Sequence, residues 1–303
     1  MKEKMTRIHL YLLSLLFLGC SLQLPAQEKL VLAGSGNLSV MIVDKQSGTV
    51  EWKHVLEKGE ECNTVAVTKR GNILYSYKKG AKLIGTDHRI LWDYKTPEGT
   101  ELQSATLLND GGFLLGICGN PARLIELDRN GKERNRVEID LQIEKPHGQF
   151  RQVFQLRNKN YLLPVMGKQK VMEISRKGEV IAEFPTDGRP FSSLELKDGN
   201  LLLPCGDGHF FLVIDRKTGK ELKRVTSDTV KGASLLFVGQ VLDAGKGNLL
   251  ICNWHGHTKD ATVDEPQLIE MDETGKVVWS LNDKENIGKV SAACLVRNLN
   301  LKK

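Results

Sequence analysis

The chain has 303 residues, with 43 Lys and Arg against 37 Asp and Glu, for a formal net charge of +6. Two of those charges belong to the N-terminal segment, where Lys2, Lys4 and Arg7 stand against Glu3, and the other lysines are scattered as a solvated face. No basic run interleaved with aromatics offers a groove for nucleic acid, so nucleic-acid binding is excluded as a class.

The N-terminus reads as a secretory signal: three basic residues, then an apolar stretch from Ile8 to Gly19 that is too short for a permanent membrane span. Two cleavage readings stay open. Leu16-Phe17-Leu18-Gly19-Cys20 is similar to a lipoprotein signal (residues 1–19) with a lipidated Cys20, and Leu24-Pro25-Ala26 is similar to an ordinary signal-peptidase site, giving a signal of residues 1–26. Either predicts an exported protein, in the periplasm or as an outer-membrane lipoprotein, whose contact with the membrane is a lipid anchor at most. Residues 27–303 are then one domain, expected to be a monomer.

Beyond the signal, one phrase recurs about every forty to fifty residues. It runs Asp44 to Trp52, Asp87 to Trp92, Asp128 to Glu133, Ser175 to Val180, Asp215 to Glu221 and Asp272 to Trp279, most completely as Asp272-Glu-Thr-Gly-Lys-Val-Val-Trp279. A second phrase, a turn followed by an apolar run, keeps the same beat at Gly71, Gly111, Asn160, Gly199 and Gly247. The second repeat shows the unit. Asn63 to Thr68 alternates, Lys69-Arg70-Gly71 turns, Ile73 to Tyr77 continues, Lys82 to Gly85 follows and Ile90 to Tyr94 closes it. These are four short antiparallel strands, and no long stretch after the signal carries helical periodicity. Such a unit buries its faces only by stacking on its neighbours, and repeats of this length with four strands are the propeller signature. The prediction is an all-β, six-bladed β-propeller of four-stranded antiparallel blades. Trp52, Trp92 and Trp279 fill the gaps between blades. Lys29 to Ala33 matches a second strand and Ser291 to Arg297 a first strand, so the C-terminal strand completes the N-terminal blade.

The Asp-x-x-Thr-Gly-Lys-x-x-Trp phrase resembles the blade motif of PQQ-like, quinoprotein-type β-propeller repeats, best at Asp215 to Lys220 and Asp272 to Trp279. The resemblance covers nearly the whole chain after the signal and implies blades, not a reaction. Quinoprotein dehydrogenases carry eight blades, a cofactor pocket and a vicinal disulfide. This chain has six repeats and no adjacent Cys pair, so no PQQ is expected. Cys62, Cys118, Cys205, Cys252 and Cys294 form no disulfide framework and read as small buried hydrophobes, with a single disulfide left open.

Loop lengths are asymmetric. Connections between first and second strands and between third and fourth are short, whereas Lys95 to Gln103, Asp140 to Arg151, Phe184 to Ser193, Val225 to Gln240, Trp254 to Gln267 and Leu281 to Ser291 hold the insertions. Insertions gathered on one face mark the binding face. That mouth receives Cys118, Asn120, Arg123, Lys168, Asp207, His209, Asn253, Trp254, His255 and His257. Glu101, Gln103, His147, Gln149, Arg151, Arg189 and Gln240 reach it from the starts of the inner strands. The ligand-binding candidates are Arg123, Arg151, Arg189, Asp207, His209, Asn253, Trp254, His255 and His257. Trp254 is expected as an exposed platform and the arginines as clamps for an acidic group. No metal is fixed by the sequence. His255 and His257 could share a divalent ion with Asp260 or Asp264 if extended, but a loop-anchoring role competes.

No G-x-S-x-G elbow, Walker loop or dinucleotide fingerprint is present. The leading expectation is a non-catalytic envelope protein that binds an extracellular or periplasmic small molecule, glycan or protein, such as an anionic saccharide or peptide, or that scaffolds a partner. The alternative is an enzyme, a glycan lyase or hydrolase or an arylsulfotransferase-like propeller, with His147, His255 and His257 as catalytic candidates beside the arginines.

Overall fold

The computed structural model describes residues 27–260, 262–297 and 299, so both readings of the signal, residues 1–26 and 1–19 with Cys20, lie outside the described residues. It is all β apart from four single turns of 3-10 helix. Three strands of the first blade come first, β1 (Glu28–Ala33), β2 (Ser39–Asp44) and β3 (Val50–Val55). The second blade is β4 (Val65–Val67), β5 (Ile73–Tyr77), β6 (Gly80–Ile84) and β7 (Ile90–Lys95). The third is β8 (Glu101–Leu107), β9 (Phe113–Cys118), β10 (Ala122–Leu127) and β11 (Glu133–Ile139). The fourth is β12 (Phe154–Gln155), β13 (Tyr161–Val165), β14 (Lys170–Ile174) and β15 (Val180–Pro185). The fifth is β16 (Leu194–Glu195), β17 (Leu201–Cys205), β18 (Phe210–Ile214) and β19 (Glu221–Thr226). The sixth is β20 (Val238–Gly245), β21 (Asn248–Asn253), β22 (Leu268–Met271) and β23 (Val277–Leu281). The last strand, β24 (Ala292–Arg297), pairs antiparallel with β1 from Ala33↔Ala292 to Glu28↔Arg297. The C-terminal strand therefore completes the N-terminal blade, in the order β24-β1-β2-β3, and the ring of six blades is closed.

The recurring phrase has a local cause. In its turn the aspartate side chain accepts backbone N–H groups, Asp44 from Ser47 at 2.7 Å, Asp215 from Thr218 at 2.8 Å and Asp272 from Thr274 at 2.9 Å. The glycine that follows takes a left-handed conformation, φ 72–83° at Gly48, Gly219 and Gly275, which residues with a Cβ adopt only under strain. The tryptophans lie between blades as expected: Trp52 donates its indole N–H to the Thr86 carbonyl of the next blade at 2.8 Å, and Trp92 packs 5.3 Å from Phe113.

Six of the seven apolar clusters account for the core between blades, one for each interface between neighbours, and the seventh lies at one end of the channel. Val31 and Ile42 meet Tyr75, Ala81 and Leu83 meet Leu115, Leu124 meets Tyr161, Val171 meets Leu203, Phe211 meets Ile251, and Leu250 meets Leu30. Full burial of one such side chain contributes about 1.5–3 kcal/mol, so the ring is held by its interfaces more than by any single blade. Side chains at one position of the inner strands also stitch neighbours together. The Thr64 hydroxyl accepts from Ala105 N–H at 2.8 Å, Ser104 from Val153 at 2.9 Å, and the Gln240 carbonyl oxygen from Ala293 at 2.8 Å. All five described cysteines are free thiols. Burial pushes those of Cys118 and Cys205 up to about 12, which makes them inert core residues.

Candidate functional site at the channel mouth

The insertions converge on a cavity of about 380 Å³, within the range of small-molecule sites, about 300–1,000 Å³. Its walls come from loops all round the ring: Ser35 after β1, Glu61 and Asn63 before β4, His147 and Arg151 before β12, Met166 after β13, Arg189 and Phe191 before β16, Asp207 after β17, Phe237 before β20, and Trp254 and His257 after β21. A larger hollow of about 1,020 Å³ lies at the tight-turn face between the first and sixth blades. Its charges are paired with one another, Lys45 with Glu28 at 2.8 Å and with Glu270 at 2.7 Å, and Arg297 with Glu28 at 2.9 Å. Little there asks for a ligand, so the smaller cavity is the candidate.

One wall is aromatic. Phe191 and Trp254 both meet Phe237 edge to face, at 5.2 and 5.0 Å, with Met166 packed behind them. Two glycines permit this packing. A Cβ at Gly206 would lie 2.2 Å from the Phe237 ring, and one at Gly256 only 1.7 Å from the Trp254 indole. The expectation of an exposed Trp254 is corrected here: the ring is 9% exposed, lies beneath its own loop and donates its indole N–H to the Ser35 carbonyl at 2.8 Å. It contributes an edge of the wall rather than an open platform.

The opposite side carries a hydrogen-bonded chain. Lys78, Gln103 and His147 all reach Glu101, at 3.0, 2.7 and 2.8 Å. Burial alone would raise the Glu101 carboxyl, but its bonds from His147, Lys78 and Gln103 outweigh that and hold it below the usual range. A guanidinium only donates, so the Arg151 Nη2 contact at 3.0 Å makes His147 Nε2 the acceptor, and His147 Nδ1–H must donate to Glu101. Arg151 also donates to the carbonyls of His147 and Phe150, at 2.8 and 2.9 Å. Its residue is 6% exposed, no carboxylate among the described residues touches it, and burial lowers its pKa without discharging it. Five N–H groups have three acceptors among the described residues. Arg151 thus lines the cavity with N–H groups to spare.

Across the cavity, His257 Nδ1 meets Asp207 Oδ1 at 2.7 Å, with the imidazole edge-on to Phe237 and 4.9 Å from Trp254. A carboxylate on Nδ1 makes that nitrogen the donor and leaves Nε2 as the basic atom of the neutral ring. The other named residues do not join this group. His255 is half-buried, tied to the Pro266 backbone and held below the usual histidine range by burial, with Nε2 buried and unpartnered. Asn253 anchors its loop, accepting from Leu236 N–H at 2.7 Å and donating to Ser234 and Pro266 carbonyls. His209 contacts the Leu236 carbonyl from a left-handed conformation, and Arg123 pairs with Glu138 at 2.9 Å outside the cavity lining. Arg189 is exposed at the rim, and no ion pair is recorded for it among the described residues. Nor do His255 and His257 face a common point. Among the described residues no three His, Cys, Asp or Glu side chains gather into a metal-binding group.

Sequence reasoning missed Ser35, Glu61, Asn63, Met166, Phe191 and Phe237. A signal for two of them existed. Asn63, Gln103, Arg151 and Phe191 each stand five residues before the residue that opens the first tight turn of their blade, Thr68, Leu108, Leu156 and Leu196. At three of these four, Asn63, Arg151 and Phe191, the position lines the cavity whatever the residue type, and Gln103 lies buried behind it.

Fold and cavity together define a six-bladed propeller with a polar site where its channel opens. Residues 35–276 match the family described as Mal s 1 allergenic protein-like, and the chain belongs to that family. Of what the repeats implied, the six-bladed propeller is what the structure bears out. The crystal structure of a protein of unknown function from Bacteroides caccae is similar at 40% identity, over 90% of this chain and 100% of that one, with a TM-score of 0.87. A catalytically inactive virginiamycin B lyase from Staphylococcus aureus, solved with quinupristin, is similar at 11% identity over 90% of this chain and 97% of its own, TM-score 0.60. A streptogramin B lyase stands at 13% identity, over 91% and 96%, TM-score 0.57. Those two lyases share the fold alone. No curated protein matches the sequence.

Proposed function

We propose that this chain binds a small carboxylate-bearing molecule in the mouth cavity, with Arg151 as the principal anion contact and Arg189 as the rim contact. The observation that carries the reading is the buried Arg151 guanidinium without a carboxylate partner. A buried charge is ordinarily paired, and a preorganised guanidinium beside a cavity suits the fork of a carboxylate. The two acidic residues of the lining have partners of their own, Asp207 in His257 and Glu61 in the Ser35 hydroxyl at 2.7 Å. The site works outside the cytoplasm if the N-terminal segment is the export signal it resembles. Titration calorimetry with small carboxylic acids and their neutral amides tests the reading. Carboxylates are expected to bind at least about tenfold more tightly, as charge-assisted bonds imply, and Arg151→Gln to abolish the difference. Equal affinity of acid and amide, or an unaltered Arg151→Gln variant, would overturn it.

A second reading rests on the Asp207–His257 pair, which has the geometry of an oriented general base on the cavity wall. A catalyst using it would convert a bound ligand, and mass spectrometry of ligand incubated with the protein would show product. His257→Gln would then stop turnover while leaving affinity unchanged. Recovery of intact ligand from the native protein would remove this reading and leave the binding one standing.

A further inference from the structure

Beneath the arginine lies a set of polar atoms whose orientation follows from donor and acceptor rules. Glu101 is an acceptor only, so the Gln103 amide must turn its NH2 toward it, which points the Gln103 carbonyl oxygen at Asn63. Asn63 then donates its NH2 to that oxygen at 2.6 Å, leaving its own Oδ1 free. Gln152 donates its NH2 to two backbone carbonyls, those of Asn63 at 2.9 Å and Ser291 at 3.1 Å, which reach it from the far side of the channel. Its Oε1 is free in turn. Asn63 and Gln152 are 1% and 0% exposed, and both oxygens are buried without a hydrogen-bond partner. Asn63 lines the cavity, and Gln152, bonded to the Asn63 carbonyl, lies in the buried layer beneath that lining, which we call the floor. A buried acceptor left unmade costs more than a typical hydrogen bond contributes, so two such oxygens, fixed by their own amides, call for donors from outside the protein.

We infer that this floor is a hydroxyl-recognition subsite, so that the ligand is a hydroxylated carboxylic acid of the sugar-acid class. The alternative donor to carbonyl oxygens is a cation. Arg151, the residue next to Gln152, places an unpaired positive charge at the same end of the cavity and opposes one, whereas neutral hydroxyls meet no such cost. The remaining chemistry agrees. The Phe191 and Phe237 wall offers an apolar surface to the C–H face of a sugar ring, the two oxygens accept from its hydroxyls, and its carboxylate reaches Arg151. This inference rests on the anion-binding reading, and the two fail separately.

The test is calorimetry with three probes: D-glucuronate, D-glucose and cyclohexanecarboxylate. The floor predicts that glucuronate binds at least about tenfold more tightly than cyclohexanecarboxylate, about one hydrogen bond's effect. Gln152→Met and Asn63→Ser, each checked for an intact thermal transition, should remove that advantage, so that the two acids bind each variant with equal affinity. If Gln152→Met does not fold, Asn63→Ser and the two acids on native protein still decide. Equal binding of the two acids would overturn the subsite while sparing the anion reading. Equal binding of glucose and glucuronate would overturn the anion reading while sparing the subsite. Failure of all three to bind would overturn both, with water alone as the partner of the free oxygens.

Discussion

On the tight-turn face, Glu126 and Glu173 are almost wholly buried and each meets an arginine, Arg176 at 2.5 Å and Arg216 at 2.6 Å. At the mouth, the similarly buried Arg151 meets no carboxylate among the described residues. One face satisfies its own charges and the other leaves some unanswered. The pattern extends to neutral groups, since the turn aspartates cap their own backbones while Asn63 and Gln152 keep partnerless oxygens. Incomplete satisfaction is a destabilising feature that a scaffold would be better without; the Tyr75 hydroxyl is also left unpartnered inside a blade interface, but at the insertion-rich end Asn63 and Arg151 bring their unmet groups to one cavity, which separates a site from a frame.

The largest expected effect comes from breaking the frame that both faces share. Deleting residues 291–303 removes β24, the whole β1–β24 ladder and the Gln152–Ser291 contact. The first blade then loses its inner strand and exposes an edge, and cooperative folding should be lost in circular dichroism melts. A truncated chain that melts like the full one would mean that the ring does not need its clasp.

Next come the two arginines themselves. Arg216→Ala strands the Glu173 carboxylate, whose side chain is 4% exposed, and should cost about 3–5 kcal/mol in denaturant unfolding, as for other broken buried pairs. Arg151→Met should cost much less, under about 1.5 kcal/mol, because it removes an uncompensated charge together with three hydrogen bonds. Equal losses would show that Arg151 serves stability after all, and the contrast between the faces would disappear.

A smaller effect is expected in the wall. Gly256→Ala places a methyl against the Trp254 ring and should cost about 1–3 kcal/mol, the usual range for overpacking. Fluorescence of the four tryptophans should report a displaced indole. An unchanged spectrum with full stability would mean that the 254–260 loop can move aside freely.

The frame was legible because its signals are local. Asp-x-x-Gly turns, the alternation of Ile73 to Tyr77 and the out-of-phase ends of the repeat each follow from a few neighbouring residues, and together they fix six blades and the clasp. The site was legible only in part. Loop length pointed to the end that holds the cavity, and Arg151, Arg189, Asp207, Trp254, His147 and His257 do line it. Which side chains meet is decided by contacts between distant segments, such as His257 with Asp207 or Arg151 with His147, and no spacing encodes them. The burial of Trp254 illustrates this: its partner is Ser35, more than two hundred residues away. His255 and His257 looked equivalent in sequence, yet the turn at Gly256 sends one toward Pro266 and the other toward the cavity.

That divergence gives the last and smallest prediction. Burial holds His255 below the usual histidine range, and His54, in the frame between the first two blades, is lowered by burial and then by the positive charge of His88. Both rings are therefore neutral in the folded chain at pH values where the unfolded chain, with a histidine pKa of about 6.5, takes up protons. The unfolded state binds more protons in that window, so stability rises with pH across it. Full stability is present above about pH 6.5 and is lost progressively as pH falls toward the folded values, levelling off below them. His255→Gln and His54→Gln should each flatten the acid limb of a plot of melting temperature against pH, by about 1–3 °C at its lower end, while leaving the value at pH 8 nearly unchanged. If only His54→Gln flattens it, the 254–260 loop opens before the ring melts, and His255 titrates without cost to the fold. That outcome would place the mobility of the molecule at the mouth, where a ligand has to enter.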